Sequence, residues 1–226
     1  PTVRGGQTAA DAALAGFDVS GYAARRNEVW PPARRGASGL SPWIRHGLLP
    51  LPEVWDTVEG GPSRDVAKFR DELLWQEYAR HLYARVGDAL GSDLRFGSPA
   101  ANDPSPWSTD MACIAAARGE LETEGWLVNQ ARMWLASDWT VRHGGRWQDG
   151  EDLFFRHLLD GSRAANRLGW QWVAGRATGR AHGFSRQQVE RRAPGLCATC
   201  PLSDDCPIEE WPPDPALAPA DPPPPS

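Results

Sequence analysis

The chain has 226 residues, with 24 Lys plus Arg against 29 Asp plus Glu, giving a formal net charge of −5. That length suits one full-sized core, and the acidic balance argues against a surface that holds nucleic acid by bulk electrostatics. No run of about eighteen apolar residues and no basic-then-apolar leader occurs, so neither a spanning helix nor export is indicated, and a cytoplasmic protein with no membrane partner is expected.

In chain order, the Ala- and Leu-rich stretch from Gln7 to Phe17 reads as a helix. The mixed segment from Tyr22 to Pro32 and the Gly/Ser turn from Gly36 to Ser41 form a loop that leads into a new helix. Between Asp65 and Val86, the residues Val66, Phe69, Leu73, Leu74, Tyr78, Leu82 and Val86 recur at spacings of three and four, which predicts a long helix with a wide apolar face. From Gly87 to Trp107 the pattern dissolves into a long loop. Helical spacing resumes over Thr109 to Glu122, Trp126 to His143 and Glu151 to Leu159, the last preceded by the turn residues Gln148, Asp149 and Gly150. No segment alternates as a strand does, so the fold class is all-α, without internal repeats. Residues 1–210 form the domain, and residues 211–226, mostly Pro, Ala and Asp, form a flexible tail.

Two groups of residues carry chemistry. Cys197, Cys200 and Cys206 make a C-x2-C-x5-C spacing stiffened by Pro201 and Pro207, and Cys113 is the only other cysteine. A protein of a reducing compartment does not normally keep disulfides, and four thiolates suit either zinc or a 4Fe-4S cluster. The second group is DGSRAANRLGWQWVAG, from Asp160 to Gly175. Its Asp, Asn and two Trp side chains can line a pocket for a planar ligand with polar edges, or can simply pack.

This second stretch closely resembles the D-G-D-x-A-x-N-x-x-G-W-Q-W signature of the photolyase and cryptochrome family. Three further segments resemble that family's motifs in the family's order. ASGLSPWIRHG from Ala37 to Gly47 is similar to its phosphate loop, FRDELLWQEYARHLY from Phe69 to Tyr83 to its F-x-x-E-L-x-W-R-E-F helix, and EGWLVNQARMWLAS from Glu124 to Ser137 to its T-G-W-x-H-N-R-x-R-M segment. The resemblance implies the helical, FAD-binding half of such a protein. It places Tyr22, Ser38, Leu40 and Ser41 at the phosphates and ribitol, as suits hydroxyls and N–H groups at a helix start. It places Asn129, Arg132, Asp160 and Asn166 around the isoalloxazine, with Arg132 and Asp160 ion-paired and Asn166 near N5. A positive group and an amide at that position tune the flavin's redox potential.

The same resemblance implies that Trp170 and Trp147 are the first two members of a tryptophan relay, with Trp107, Trp134 or Trp139 available as the third. Glu72, Trp75 and Trp172 match the walls of the substrate cavity. Cys113, Cys197, Cys200 and Cys206 match the ligands of the bacterial iron–sulfur branch, which favours a 4Fe-4S cluster over zinc. No counterpart of the N-terminal antenna domain is expected, and Val128 and Asn129 stand where the (6-4)-repairing branches carry histidines. Gln76 and Gln130 replace arginines that serve a DNA backbone, and Ser162 replaces the second Asp of D-G-D. The expectation is therefore a FAD and 4Fe-4S flavoprotein that passes electrons, from an unknown donor, to a small-molecule substrate or to damaged DNA. Repair of cyclobutane pyrimidine dimers and cryptochrome-type light or redox sensing are the alternatives.

Overall fold

The computed structural model describes residues 3–97, 107 and 110–210, together with the backbone of Ala218 and Pro219. Short helices α1 (Gln7–Ala15), α2 (Tyr22–Arg25), α3 (Ser41–Arg45) and α4 (Leu51–Thr57) lead into the long helix α5 (Ser63–Val86). After a 3-10 turn at Gly87–Gly91 come α6 (Ala112–Glu124), α7 (Asn129–Ser137), α8 (Trp147–His157), α9 (Arg163–Val173) and α10 (Arg186–Arg192). The all-α class expected from the sequence is the observed one. The strand content among the described residues is one two-residue antiparallel ladder, Phe96–Gly97 against Ala218–Pro219. Those two residues apart, the expected tail over 211–226 lies outside the described residues. Among them no helix is long and apolar enough to cross a membrane.

Local chemistry explains the boundaries. Prolines at the first turns of α3 and α4 lack only an N–H that would have no helical partner there. Gly87 and Gly125, both with positive φ, end α5 and α6. The segment expected to run from Trp126 to His143 is α7 followed by a π turn at Asp138–Arg142. Helix α8 begins earlier than expected, because Gln148, Asp149 and Gly150 lie inside it rather than in a turn. The sequence reading assigns no helix to Arg163–Val173 or Arg186–Arg192, and both are helical.

Two apolar clusters form the core. Leu14, Leu40, Ile44, Val54, Phe69 and Leu73 belong to the N-terminal one, and Ile114, Leu121, Trp134, Trp147, Phe154 and Trp170 to the C-terminal one. Helix α5, about 36 Å long at 1.5 Å per residue, joins them by packing against α2 and against α9. Its apolar stripe is only partly used: Phe69 and Leu73 are buried, whereas Leu74 and Tyr78 are 56% and 52% exposed. The stripe is wider than the surface its neighbours cover.

Candidate functional site

A cavity of about 290 Å³ opens where α2, α3, α5 and α7 meet, lined among others by Tyr22, Ser38, Ser41, Glu72, Asn129 and Arg132. A second cavity of about 220 Å³ shares Ser41, Gln76, Arg132 and Asp160 with it and reaches Ser162 and Asn166 on α9. The two are lobes of one cleft. It gathers every side chain that the resemblance assigns to the cofactor except Leu40. That side chain is fully buried in the N-terminal cluster, where it packs just ahead of α3.

The loop and helix starts on the α2 and α3 side are held firmly. The backbone amides of Gly21 and Ala23 donate to the two carboxylate oxygens of Asp65 at 2.9 and 2.8 Å, tying the start of α2 to α5. Those bonds hold the Asp65 carboxyl below its ordinary range. Tyr22 rests edge-on against Phe69, with ring centroids 5.1 Å apart. Burial first, and the neighbouring Glu72 second, push its phenol well above the ordinary range, so it stays protonated and available as a donor. Ser41 Oγ accepts the indole N–H of Trp126 at 3.0 Å, and Gly39, at φ +69, turns the loop into α3.

On the α7 and α9 side, Arg132 Nη2 meets Asp160 Oδ2 at 2.7 Å, with Asp160 only 6% exposed, and Arg132 Nε donates to the Leu127 carbonyl. Asp160 Oδ1 and Asn166 Nδ2 are buried yet make no hydrogen bond within the protein. Unsatisfied buried polar atoms cost about 1–3 kcal/mol each, and both belong to residues lining the second lobe. A ligand with polar edges on one side of a flat body would satisfy them. The Ser162 hydroxyl lines the same lobe and also accepts the Ala165 amide at 3.5 Å, so the residue that departs from the D-G-D pattern caps α9.

Glu72 lines the first lobe and is held by Arg26 at 3.2 Å and Lys68 at 2.9 Å. Trp75 and Trp172 are instead surface rings, 59% and 39% exposed, and Trp172 stacks on His182 with ring centroids 3.6 Å apart. Gln76 lines both lobes. Gln130 corrects an expectation: it is 7% exposed and lies within the domain, donating to Gln188 Oε1, which also accepts the Trp134 indole N–H. It shares a helix face with Trp134 one turn on, so it faces inward and not toward a DNA backbone.

Trp147 and Trp170, which the resemblance assigns to a relay, are both almost fully buried in the C-terminal cluster. Trp170 packs edge-on against Phe154 at 5.0 Å, Phe154 lies 6.1 Å from Trp107, and Trp107 lies 5.2 Å from Trp139. Trp134 stacks on Phe184, away from this line.

Cys113, Cys197, Cys200 and Cys206 all line one further cavity of about 10 Å³, with Met111, Leu196 and Ile208 around them. All four are free thiols, and Cys200 Sγ accepts the Ala112 amide at 3.4 Å. Burial, then proximity to Cys197, pushes the Cys113 thiol up to about 12. Among the described residues no three metal-ligating side chains stand close enough to hold a single ion. Four thiols are the donor set of a sulfur-ligated centre.

Two structural supports went unread in the sequence. Gln171, fully buried within the GWQW motif, accepts the Leu94 amide at 2.9 Å and donates to the Leu90 carbonyl at 2.8 Å. Trp126 reaches Ser41 across 85 positions. A buried amide flanked by tryptophans was the available signal for the first, and the second left none.

The model of the FAD-binding domain of DNA photolyase matches residues 69–191. The chain is 30% identical over 192 residues to a deoxyribodipyrimidine photo-lyase of a Synechococcus species, covering 76% of this chain and 39% of the relative. The crystal structure of a bacterial class III photolyase from Agrobacterium tumefaciens superposes with a TM-score of 0.67 at 27% identity, covering 75% of this chain and 38% of that one. A Synechocystis cryptochrome, at 22% identity and a TM-score of 0.71, covers 84% of this chain and 44% of its own and shares the fold. The chain thus spans about two fifths of the length of the relatives it matches.

Proposed function

Because this chain belongs to the family of the FAD-binding domain of DNA photolyase, we propose that it binds FAD in the two-lobed cleft and passes electrons to a substrate beside Glu72. The observation that carries this reading is the convergence of the Arg132–Asp160 pair with the unsatisfied Asp160 Oδ1 and Asn166 Nδ2 in one cleft. Tyr22, Ser38 and Ser41 hold the phosphate and ribitol end. Arg132, Asp160 and Asn166 hold the isoalloxazine edge. Bound FAD supplies one-electron redox chemistry, and these residues set its orientation and potential.

For the substrate we favour a cyclobutane pyrimidine dimer in DNA, since the curated relatives are deoxyribodipyrimidine photo-lyases. Exposed Trp75 and Trp172 offer aromatic faces on which extruded bases stack. A small-molecule substrate is the second reading, favoured by the acidic chain and by Gln76 at the cleft. Illuminated, reduced protein mixed with a dimer-bearing oligonucleotide separates them: restored thymines support the first, and FAD binding without repair supports the second. A protein that takes up no FAD refutes both.

The four cysteines, in this reading, hold a 4Fe-4S cluster. All four line one cavity, and four thiolates are a donor set that such a cluster takes. Iron and acid-labile sulfide in anaerobically purified protein test this, and their absence would return the site to free thiols.

A further inference from the structure

Trp147 and Trp170 differ in one chemical respect. The Trp170 indole N–H is buried without a partner, whereas Trp147 Nε1 donates to Asp93 Oδ1 at 2.7 Å. Trp147 is 1% exposed, so a positive charge left on its ring has no water to stabilise it, and a carboxylate at hydrogen-bond distance of the ring nitrogen is its nearest remedy. Oxidation makes an indole N–H strongly acidic.

The surroundings hold Asp93 to this task. Gln171, next to Trp170, bonds the Leu90 carbonyl and the Leu94 amide on either side of the Asp93 segment. Gln148, next to Trp147, reaches the Gly91 carbonyl at 3.4 Å. Arg176, itself 7% exposed and three residues beyond the end of α9, interacts electrostatically with Asp93. The motif that carries the first relay tryptophan thus also fixes the acceptor of the second.

We propose that Asp93 is the proton acceptor of Trp147, so that electron loss from Trp147 is a proton-coupled step. This rests on the reading above, in which Trp170 gives one electron to light-excited flavin. One electron then moves from the Trp147 indole to Trp170, restoring it. The Nε1–H bond of Trp147 breaks and an O–H bond forms at Asp93 Oδ1. Trp147 ends as a neutral indolyl radical and Asp93 as a neutral acid. A soluble thiolate returns the electron, and Asp93 returns the proton. Trp170, having no acceptor, passes the charge on, while Trp147 traps it.

The test is flash-induced transient absorption of FAD-loaded protein, in which indole radical cation and neutral radical have distinct visible bands, run in light and heavy water. In the wild type the neutral radical forms with a solvent isotope effect. In Asp93→Asn, which keeps an acceptor oxygen but takes no proton, the cation persists and the isotope effect disappears. Nitrogen-15 spectra of the indole N–H groups in flavin-free protein confirm that the variant keeps the Trp147 hydrogen bond. A cation that never deprotonates in the wild type overturns the inference whatever the variant does, and so does neutral-radical formation unchanged in Asp93→Asn. Bound FAD with no tryptophan radical in either protein overturns the relay reading and this inference together.

Discussion

A methyl group added at Gly150 sets two effects of opposite sign against each other. Gly150 lies inside α8, where alanine is the better helix former by about 0.5–1 kcal/mol. A Cβ there would fall 2.2 Å from Cη2 and 2.4 Å from Cζ3 of Trp170, far inside contact distance. The ring cannot swing away, since it is 2% exposed and packed against Phe154. Forcing a group into such a core costs about 1–3 kcal/mol, so Gly150→Ala should lose about 1–2 kcal/mol net, lowering the melting temperature by about 2–8 °C for a chain of this size. Gly119→Ala, in α6 with no atom within 4 Å of its Cβ, isolates the helix term and should gain about 0.5–1 kcal/mol. Thermal and urea unfolding followed by circular dichroism measure both. If Gly150→Ala is stabilised as Gly119→Ala is, the close packing of Trp170 on α8 is wrong.

Arg132→Leu removes the partner of a carboxylate that is 6% exposed and should cost about 3 kcal/mol, at the low end for buried pairs because Arg132 itself is 20% exposed. Flavin fluorescence titration should show weaker FAD binding in the same variant, and undiminished affinity would count against the proposed site. Asp65 has its folded-state value depressed by the Ala23 and Gly21 amides, so its stabilising contribution is complete above the ordinary carboxylate range and is lost as pH falls through the lowered value. Acid unfolding of Asp65→Asn should lack that component, and superimposable acid-denaturation curves would show that the bonds contribute nothing. With its thiol pushed up to about 12 by burial, Cys113 should be the slowest of the four cysteines to alkylate at pH 8 in metal-free protein, as read by mass spectrometry.

The fold class, and most of the cleft, were legible in the order of residues. Helical spacing of apolar side chains marks α5 and α6 because a 3.6-residue period is a local property of the chain. Arg132, Asp160 and Asn166 were legible for a different reason: they sit in short motifs whose spacing resembles a known family. Neither signal reports which neighbour covers a face. Leu74 and Tyr78 share the apolar stripe of α5 with Phe69 and Leu73, yet remain exposed because no helix among the described residues covers them.

Tertiary structure decided the remainder. Gln130 reads as a surface position until α7 is placed, when it turns inward to Gln188, 58 residues away. Gly150 reads as a turn signal, but the Trp170 ring of the neighbouring helix occupies the space where a side chain would be. Asp93 carries no motif at all and acquires its meaning from a hydrogen bond to Trp147, 54 residues further along. Periodicity is set by bonds between residues three or four apart, and so is written in the sequence. A hydrogen bond between distant segments depends on how whole helices dock, which is determined by the combined packing of the core rather than by any stretch of residues read alone.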